Sequence, residues 1–374
     1  MNKEKKSLLA HDGVQTLLAS LLCIAAGLII GYIVLLMINP SGAGTAILAI
    51  IKNFMTYPNQ TVATQYFGST LVKAAPLLMC SLAVLFAYKV GLFNIGASGQ
   101  YTVGAGACLF LALNFHMPWF VCLIAAMLCG GVLGAASGAL KAYFNVNEVI
   151  ACIMLNWISL YSVNMLLTNV KESTTTYTKP LSGSFKTSLI PSLGLDKLFS
   201  NNKYVTIAIP LAILLTIGVW VLLDKTKFGY ELKATGLNKN AARYAGMREK
   251  RNTILTMFIS GCLAGLGAAF YYLSGIEQWS CAQTSVPGMG FNGIAAAFLG
   301  GLHPIGSVFA SYFIQHITSG GSYVDKTMYC SQISDLISAI IIYLCAFVLF
   351  FKLCMNNVLR KRSEKGQSKK GGKA

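Results

Sequence analysis

Long apolar runs separated by short polar stretches are the main pattern of hydrophobic and polar positions along this chain. No acidic or basic residue other than histidine occurs from Gly13 to Ile51 or from Val90 to Leu140. A membrane-spanning helix needs about 20 predominantly apolar residues, so the second of these runs must contain two such helices. His116 and Pro118 mark the predicted turn between them.

The apolar runs predict an all-α fold, that of a polytopic integral membrane protein with one transmembrane domain over 14–353. Ten spans are expected, at 14–38, 70–89, 92–114, 118–140, 148–169, 204–223, 253–275, 288–302, 305–320 and 333–353. The first apolar run is too long for the apolar region of a signal peptide and lacks a small-residue cleavage site. We therefore expect it to be an uncleaved anchor.

Both ends of the chain are basic, and this sets the predicted orientation. Three lysines lie in the N-terminal segment 1–13, and seven lysines and arginines lie in the tail 354–374. Positive residues that flank membrane spans favour the cytoplasmic side. An even number of spans places both termini there together with the loop 224–251, whereas the segment 170–203 becomes an external loop.

The composition excludes most soluble classes. Only 11% of the residues are charged, against about 25% in soluble domains. The net charge of +17 raises the possibility of a nucleic-acid partner. The positive residues lie at the termini and in loops, however, which is the pattern that orients a membrane protein. The eleven cysteines form no C-x-x-C pair, and the four histidines are scattered, so no metal site is predicted.

Two glycine-rich segments interrupt the apolar pattern, one in each half of the chain. Residues 91–100 read GLFNIGASGQ and residues 288–297 read GMGFNGIAAA, and both contain Phe-Asn beside small residues. Irregular backbone at membrane depth survives only inside protein or beside a water-filled cavity. Matched interruptions in two halves indicate a substrate pathway, and close packing of small residues is the alternative.

Catalytic and nucleotide-binding motifs are missing from the sequence. It contains no G-x-x-x-x-G-K-[ST], G-x-S-x-G or H-E-x-x-H string. Gly288-x-Gly-x-x-Gly293 matches a dinucleotide fingerprint only formally, because that motif needs a preceding strand. Glu148 and Asp335 are expected near helix N-termini, where they complement the helix dipole. Carboxylates buried in mid-span, typical of ion-driven transporters, are not predicted.

The loop 224–251 is the most polar internal stretch, with eight basic and three acidic residues. Asn238 can cap a short helix over 239–245, and Gly246 can end it. Two helical turns are unstable alone in water, so we expect this helix to dock on the chain's own spans, on lipid headgroups or in a groove of a partner protein. One face of it is apolar: Leu237, Ala241, Tyr244 and Ala245.

Four strings resemble one family in the same order. GYELKATGLNKNAARYAGM resembles the coupling segment of bacterial ABC importer permeases in the branch that contains ribose, branched-chain amino-acid and nucleoside systems. GLFNIGASGQ, LKAYFNVNEVIACIMLNW and GMGFNGIAAAFLGGLHPIG resemble the nucleoside group. The resemblance implies a multi-pass importer subunit of the bacterial plasma membrane that is not an enzyme and has no cofactor.

The resemblance also implies partners and site residues. ATPase subunits would bind the loop, a second permease subunit would complete a heterodimer, and a lipid-anchored binding protein would deliver a nucleoside. The coupling role would belong to Gly236, Asn238, Ala241, Ala242, Arg243 and Gly246. The substrate pathway would include Asn94, Gln100, Asn156, Phe291 and Asn292.

Three questions stay open at this point. Asn156 either bonds a neighbouring helix or faces the pathway, because a buried amide needs a partner. The family usually has Glu at the position of Ser98 and often Asp at that of Asn292, so the cargo could differ.

The alternatives to a nucleoside importer are a permease for ribose-type sugar or another small metabolite, and a secondary transporter that works alone. A membrane enzyme is disfavoured, because no catalytic constellation is found.

Overall fold

The computed structural model describes residues 12–353 except 326, 331, 346, 349 and 352. Within these residues the fold is all-helical, and extended pairing is limited to two isolated bridges, Lys171–Thr178 and Tyr177–Ser280. The predicted all-α class is confirmed. Most of the N-terminal segment 1–13 and the whole basic tail 354–374 lie outside the described residues.

Between residues 12 and 200 the structure describes seven helices. They are α1 (Asp12–Ile38), α2 (Ala43–Lys52), α3 (Gln60–Lys89), α4 (Ala97–Phe115), α5 (Trp119–Phe144), α6 (Glu148–Leu167) and α7 (Leu195–Leu198). Short 3-10 turns follow α2 and α6, at Asn53–Thr56 and Thr168–Val170, and another lies at Gly183–Ser188.

Seven more helices follow in the second part. They are α8 (Ala208–Lys225), α9 (Lys227–Leu237), α10 (Lys239–Tyr244), α11 (Glu249–Tyr272), α12 (Met289–Leu299), α13 (Pro304–Gly320) and α14 (Ile333–Cys345). A 3-10 turn at Gly321–Tyr323 follows α13.

Helices α3 and α11 form the centre of the bundle, and α4, α5 and α12 pack against them. Glycines allow these helices to approach closely. A Cβ added to Gly104 of α4 would lie 2.6 Å from the Cα of Gly265 in α11, and one added to Gly130 of α5 would lie 2.5 Å from the carbonyl oxygen of Gly261. Small residues at helix interfaces are the usual device for close packing in membranes.

Six helical segments are long and apolar enough to cross a membrane, among the described residues. They are Leu18–Ile38, Gln60–Lys89, Trp119–Phe144, Glu148–Val170, Ala208–Lys225 and Glu249–Tyr272. The chain is therefore a multi-pass membrane protein. The turn predicted at His116 and Pro118 separates α4 from α5, and Glu148 and Asp335 occupy the first turns of α6 and α14.

Several predicted boundaries differ from the structure. The second span was expected at 70–89, but α3 begins ten residues earlier, at Gln60, where Asn59 caps it. The expected span 92–114 begins only at Ala97, because the residues before it are not helical. The expected span 288–302 contains an 11-residue helix, α12. Helices α2 and α9 were not predicted.

Candidate functional site

The first glycine-rich segment is a true break in the helical structure. Helix α3 ends at Lys89, α4 begins at Ala97, and the chain between them is non-helical. Asn94 in this break is fully buried. Its Nδ2 donates to Gln100 Oε1 at 2.8 Å and to Ser260 Oγ on α11 at 2.6 Å. The break is therefore fixed to the centre of the bundle by a buried amide.

The same network reaches α3. Ser260 Oγ donates to the carbonyl oxygen of Ala83 at 2.6 Å, and Gln100 Nε2 donates to Asn94 Oδ1 at 3.3 Å. Because Ala83 lies more than one turn before the end of α3, these bonds place Asn94 in the interior of the bundle. Non-helical backbone at such a depth must be surrounded by protein or water. Here the surrounding groups are protein hydrogen-bond partners.

Asn156 belongs to this network from the side of α6. Its Oδ1 accepts from the backbone N–H of Gly99 at 2.9 Å, and its Nδ2 donates to the carbonyl oxygen of Ile95 at 3.2 Å. The side chain satisfies a free N–H in the first turn of α4. Of the two alternatives for Asn156, the structure supports bonding to a neighbouring segment.

The second glycine-rich segment was expected to be an interruption as well, but it is helical from its second residue, where α12 starts. Met289 begins this helix, Phe291 is 42% exposed, and Asn292 is half-buried. Neither belongs to the network around Asn94. The predicted pathway residues thus divide into a buried group on α4, α6 and the first break, and a more accessible pair in the first turn of α12.

The two segments meet where α12 crosses the start of α4. A Cβ added to Gly290 would approach both the backbone nitrogen and the Oγ of Ser98, so the backbone of α12 lies directly on that residue. One turn further along α12, Gly293 packs on Cys80 of α3. The hydroxyls of Ser98 and Ser81 are buried without a hydrogen-bond partner among the described residues. The sequence did not single out Ser260, because its partners Asn94 and Ala83 are distant along the chain.

The loop 224–251 is mostly helical. Thr226 caps α9 by accepting from the N–H of Gly229 at 3.0 Å, and Asn238 caps α10 by accepting from that of Ala241 at 3.0 Å. Gly246 has a φ of +80°, which places it in the left-handed region that ends many helices. The predicted cap and the predicted terminating glycine are confirmed, and the helix spans Lys239–Tyr244.

This loop touches the first break directly. A Cβ added to Gly91 would lie 2.8 Å from the carbonyl oxygen of Gly236, and one added to Gly236 would overlap the carbonyl group of Val90. Two backbones thus lie in contact at the end of α9. Gly91, which the loop touches, precedes Asn94 by only three residues. The loop therefore contacts the chain close to the buried network.

The short helix α10 has one buried face and one exposed face. Ala242 is 4% exposed, while Leu237 is 88% and Tyr244 is 94% exposed. The helix docks on its own chain through Ala242, and the predicted apolar stripe stays uncovered. Large exposed apolar side chains on a loop are typical of a surface that binds another protein.

A multi-pass helical bundle with an interrupted segment in its interior, and a capped loop against that segment, is typical of a membrane transport subunit. Residues 66–346 match the model of the family described as branched-chain amino acid transport system, permease component. The chain belongs to this family. It is the permease component of an ABC transporter, not an enzyme.

Relatives agree with the group predicted from the four strings. The chain is 32% identical to the guanosine ABC transporter permease NupP of Bacillus subtilis over 79% of its length and 85% of the relative. It is 33% identical to the nucleoside ABC transporter permease NupB of Lactococcus lactis over 82% and 86%. It is 31% identical to the glucose ABC transporter permease TsgB13 of Haloferax volcanii over 77% and 78%. No solved structure matches the chain.

Proposed function

We propose that this permease moves nucleosides inward, with energy from separate ATPase subunits. The observation that carries the proposal is the likeness to NupP and NupB over about four-fifths of the chain (79% and 82%), two relatives whose names specify guanosine and nucleosides. The half-buried amide of Asn292 suits such a neutral cargo, because an amide both donates and accepts hydrogen bonds.

The proposed topology has ten crossings, with both termini and the loop 224–251 in the cytoplasm. The six long helices supply six of them, and the other four are assigned to α4, α12, α13 and α14. The excess of basic residues in 224–251 supports this orientation. The segment 170–203 is then external, in the plasma membrane of a bacterium.

The proposed coupling surface is the free face of α10 with its supporting residues. Tyr244 and Leu237 would insert into a groove of the ATPase, and Arg243, also exposed, would contribute charge. The other residues would hold the shape of the surface. They are Gly236 against Gly91, Asn238 and Gly246 at the two helix ends, and Ala241 and Ala242 within the helix.

The proposed complex contains a second permease subunit, ATPase subunits and a lipid-anchored binding protein on the external side. Within the permease, Phe291 and Asn292 would contact the cargo, because they are accessible at the first turn of α12. Asn94, Gln100 and Asn156 would shape the pathway indirectly, because their side chains bond to the break itself.

A sugar permease is the second candidate, and the 31% identity to the glucose permease TsgB13 favours it. Reconstitution of the complete complex in liposomes separates the two. We expect ATP-dependent uptake of radiolabelled guanosine and no uptake of glucose. Glucose uptake without guanosine uptake would contradict the nucleoside proposal, and uptake without the ATPase would contradict the importer mechanism.

A further inference from the structure

The outward side of α6 carries aromatic and methionine side chains in its middle turns. On α5 as far as Val132, and on α8, the large exposed side chains are aliphatic or phenylalanine: Phe120, Ile124, Leu128, Val132, Ile213, Leu214, Ile217 and Val221. Such residues match lipid tails. An exposed tyrosine, Tyr143, lies in the last turn of α5. On α6 the exposed side chains include isoleucines but also two methionines, a tryptophan and a tyrosine.

These four residues form one stripe. Met154, Trp157, Tyr161 and Met165 follow one another at intervals of three, four and four residues, which places them on a single face of the helix. They are 60%, 42%, 60% and 81% exposed. The rings of Trp157 and Tyr161 are stacked, with centroids 6.1 Å apart and planes at 23°. We call these four residues the α6 stripe.

The depth of the two rings distinguishes them from ordinary interfacial anchors. The apolar segment runs over Glu148–Val170, so its midpoint is Ser159. Trp157 and Tyr161 each lie two residues from that midpoint, or about 3 Å along the axis. Tryptophan and tyrosine normally lie at the ends of a span, where their polar atoms reach water.

The polar atoms of these rings have no partner in the protein. Within the described part of the chain, neither the Trp157 Nε1–H nor the Tyr161 hydroxyl takes part in a hydrogen bond, and the exposed Ser162 hydroxyl next to them is also unbonded. Three such groups at the centre of a hydrocarbon layer would be unsatisfied at considerable cost. A polar neighbour on this side of α6 would satisfy them.

We propose that the α6 stripe is the contact site for the planar heterocycle of the cargo as it crosses the membrane. The inference rests on the proposed function, because it assigns the ring of a nucleoside to this face. Stacking on aromatic side chains accepts any base, since every base has a π-face. Methionine side chains adapt to ligands of different shape. The indole N–H and the phenol hydroxyl are then free to bond ring oxygens and nitrogens.

The stripe is linked to the first break by its neighbour in the chain. Asn156 precedes Trp157 and bonds both Gly99 and Ile95. The same turn of α6 thus holds the break on one side and presents the indole ring on the other. A shift of the break during transport would move the stacking surface with it.

Uptake of guanosine by the complete reconstituted complex tests the proposal. We expect Trp157→Leu and Tyr161→Leu each to lower uptake about tenfold, the scale expected when a base loses an aromatic partner, and Trp157→Phe to retain most of it. Phe120→Leu, on the aliphatic face of α5, is the matched control and should transport normally. Photolabelling with 8-azidoguanosine should mark the α6 peptide in the wild type and much less in the leucine variants.

The possible outcomes are distinct. Wild-type uptake in both leucine variants would overturn the inference and assign the stripe to lipid. Loss of the second permease from the purified variants would also overturn it, because the stripe would then be a subunit interface. If the wild type takes up no nucleoside at all, the proposed function itself fails. If the wild type transports guanosine and the variants do not, both proposals stand.

Discussion

At the scale of single residues, the structure gives the buried amides a role that their polarity alone leaves open. Asn94, Gln100 and Asn156 are 0%, 1% and 3% exposed. Asn94 bonds to Gln100 of α4, and Asn156 of α6 accepts from the backbone of the same α4 turn. A buried amide that loses its partners costs free energy. These side chains therefore stabilise a non-helical backbone that would otherwise be unsatisfied.

We expect Asn94→Ala to destabilise the protein, because Ser260 and Gln100 lose a buried partner. Each group left unsatisfied costs about 1–3 kcal/mol, which thermal unfolding in detergent would register as a lower Tm. Asn292→Ala is the matched control, since Asn292 is half-buried and lies outside the network. Equal Tm values for the two variants would contradict the structural role of Asn94.

At the scale of elements, the contact between Gly236 and Gly91 connects the loop to the first break. Backbone touches backbone there, so no flexible side chain absorbs a displacement of α9. Packed elements shift between discrete arrangements and do not deform continuously. A movement imposed on the loop should therefore reach the break, and through Asn94 it should reach α11.

Gly236→Ala tests this connection. The added Cβ would overlap the carbonyl group of Val90, so α9 and the break must separate. We expect the complex to assemble and to hydrolyse ATP, but with uptake lowered about tenfold or more relative to hydrolysis. Gly218→Ala is the control, because a Cβ at Gly218 in α8 meets no atom within 4 Å. An unchanged ratio of uptake to hydrolysis in Gly236→Ala would refute the connection.

At the scale of the whole molecule, an uncovered apolar surface on a polar loop indicates that the chain works in a complex. Leu237 and Tyr244 are among its most exposed large apolar side chains. Helix α10 has only six residues and is held by its caps and by Ala242. The caps and Ala242 hold α10 in place, and its exposed apolar side chains stay free to contact a partner.

Tyr244→Ala and Arg243→Glu should each remove the ATPase subunit from the purified complex. Loss of an aromatic anchor at the centre of an interface costs about 2 kcal/mol or more, which corresponds to at least a 30-fold weaker association. Tyr177→Ala, an exposed tyrosine of the segment 170–203, should leave ATPase binding unchanged. Normal co-purification of the ATPase with both loop variants would mean that α10 is only a solvated turn.

Local sequence signals predicted the elements that depend on near neighbours. Asn238 and Gly246 were expected to bound α10, and they do, because capping bonds reach only three to five residues along the chain. The apolar runs likewise predicted a multi-pass helical protein, although the boundaries moved. Helix α3 was expected to begin at residue 70, since Gln60–Ser69 carries polar side chains that do not match an apolar span.

The sequence by itself determined the class of this protein, because hydrophobic length, charge placement and capping are properties of short stretches of chain. Only the tertiary structure decided what the polar residues do. Ser260 lies 166 residues after Asn94, and Gly236 meets Gly91 from another part of the chain. Such partnerships depend on how the helices pack, and no local pattern specifies that packing. The same packing turned Asn156 inward and left Trp157 facing outward.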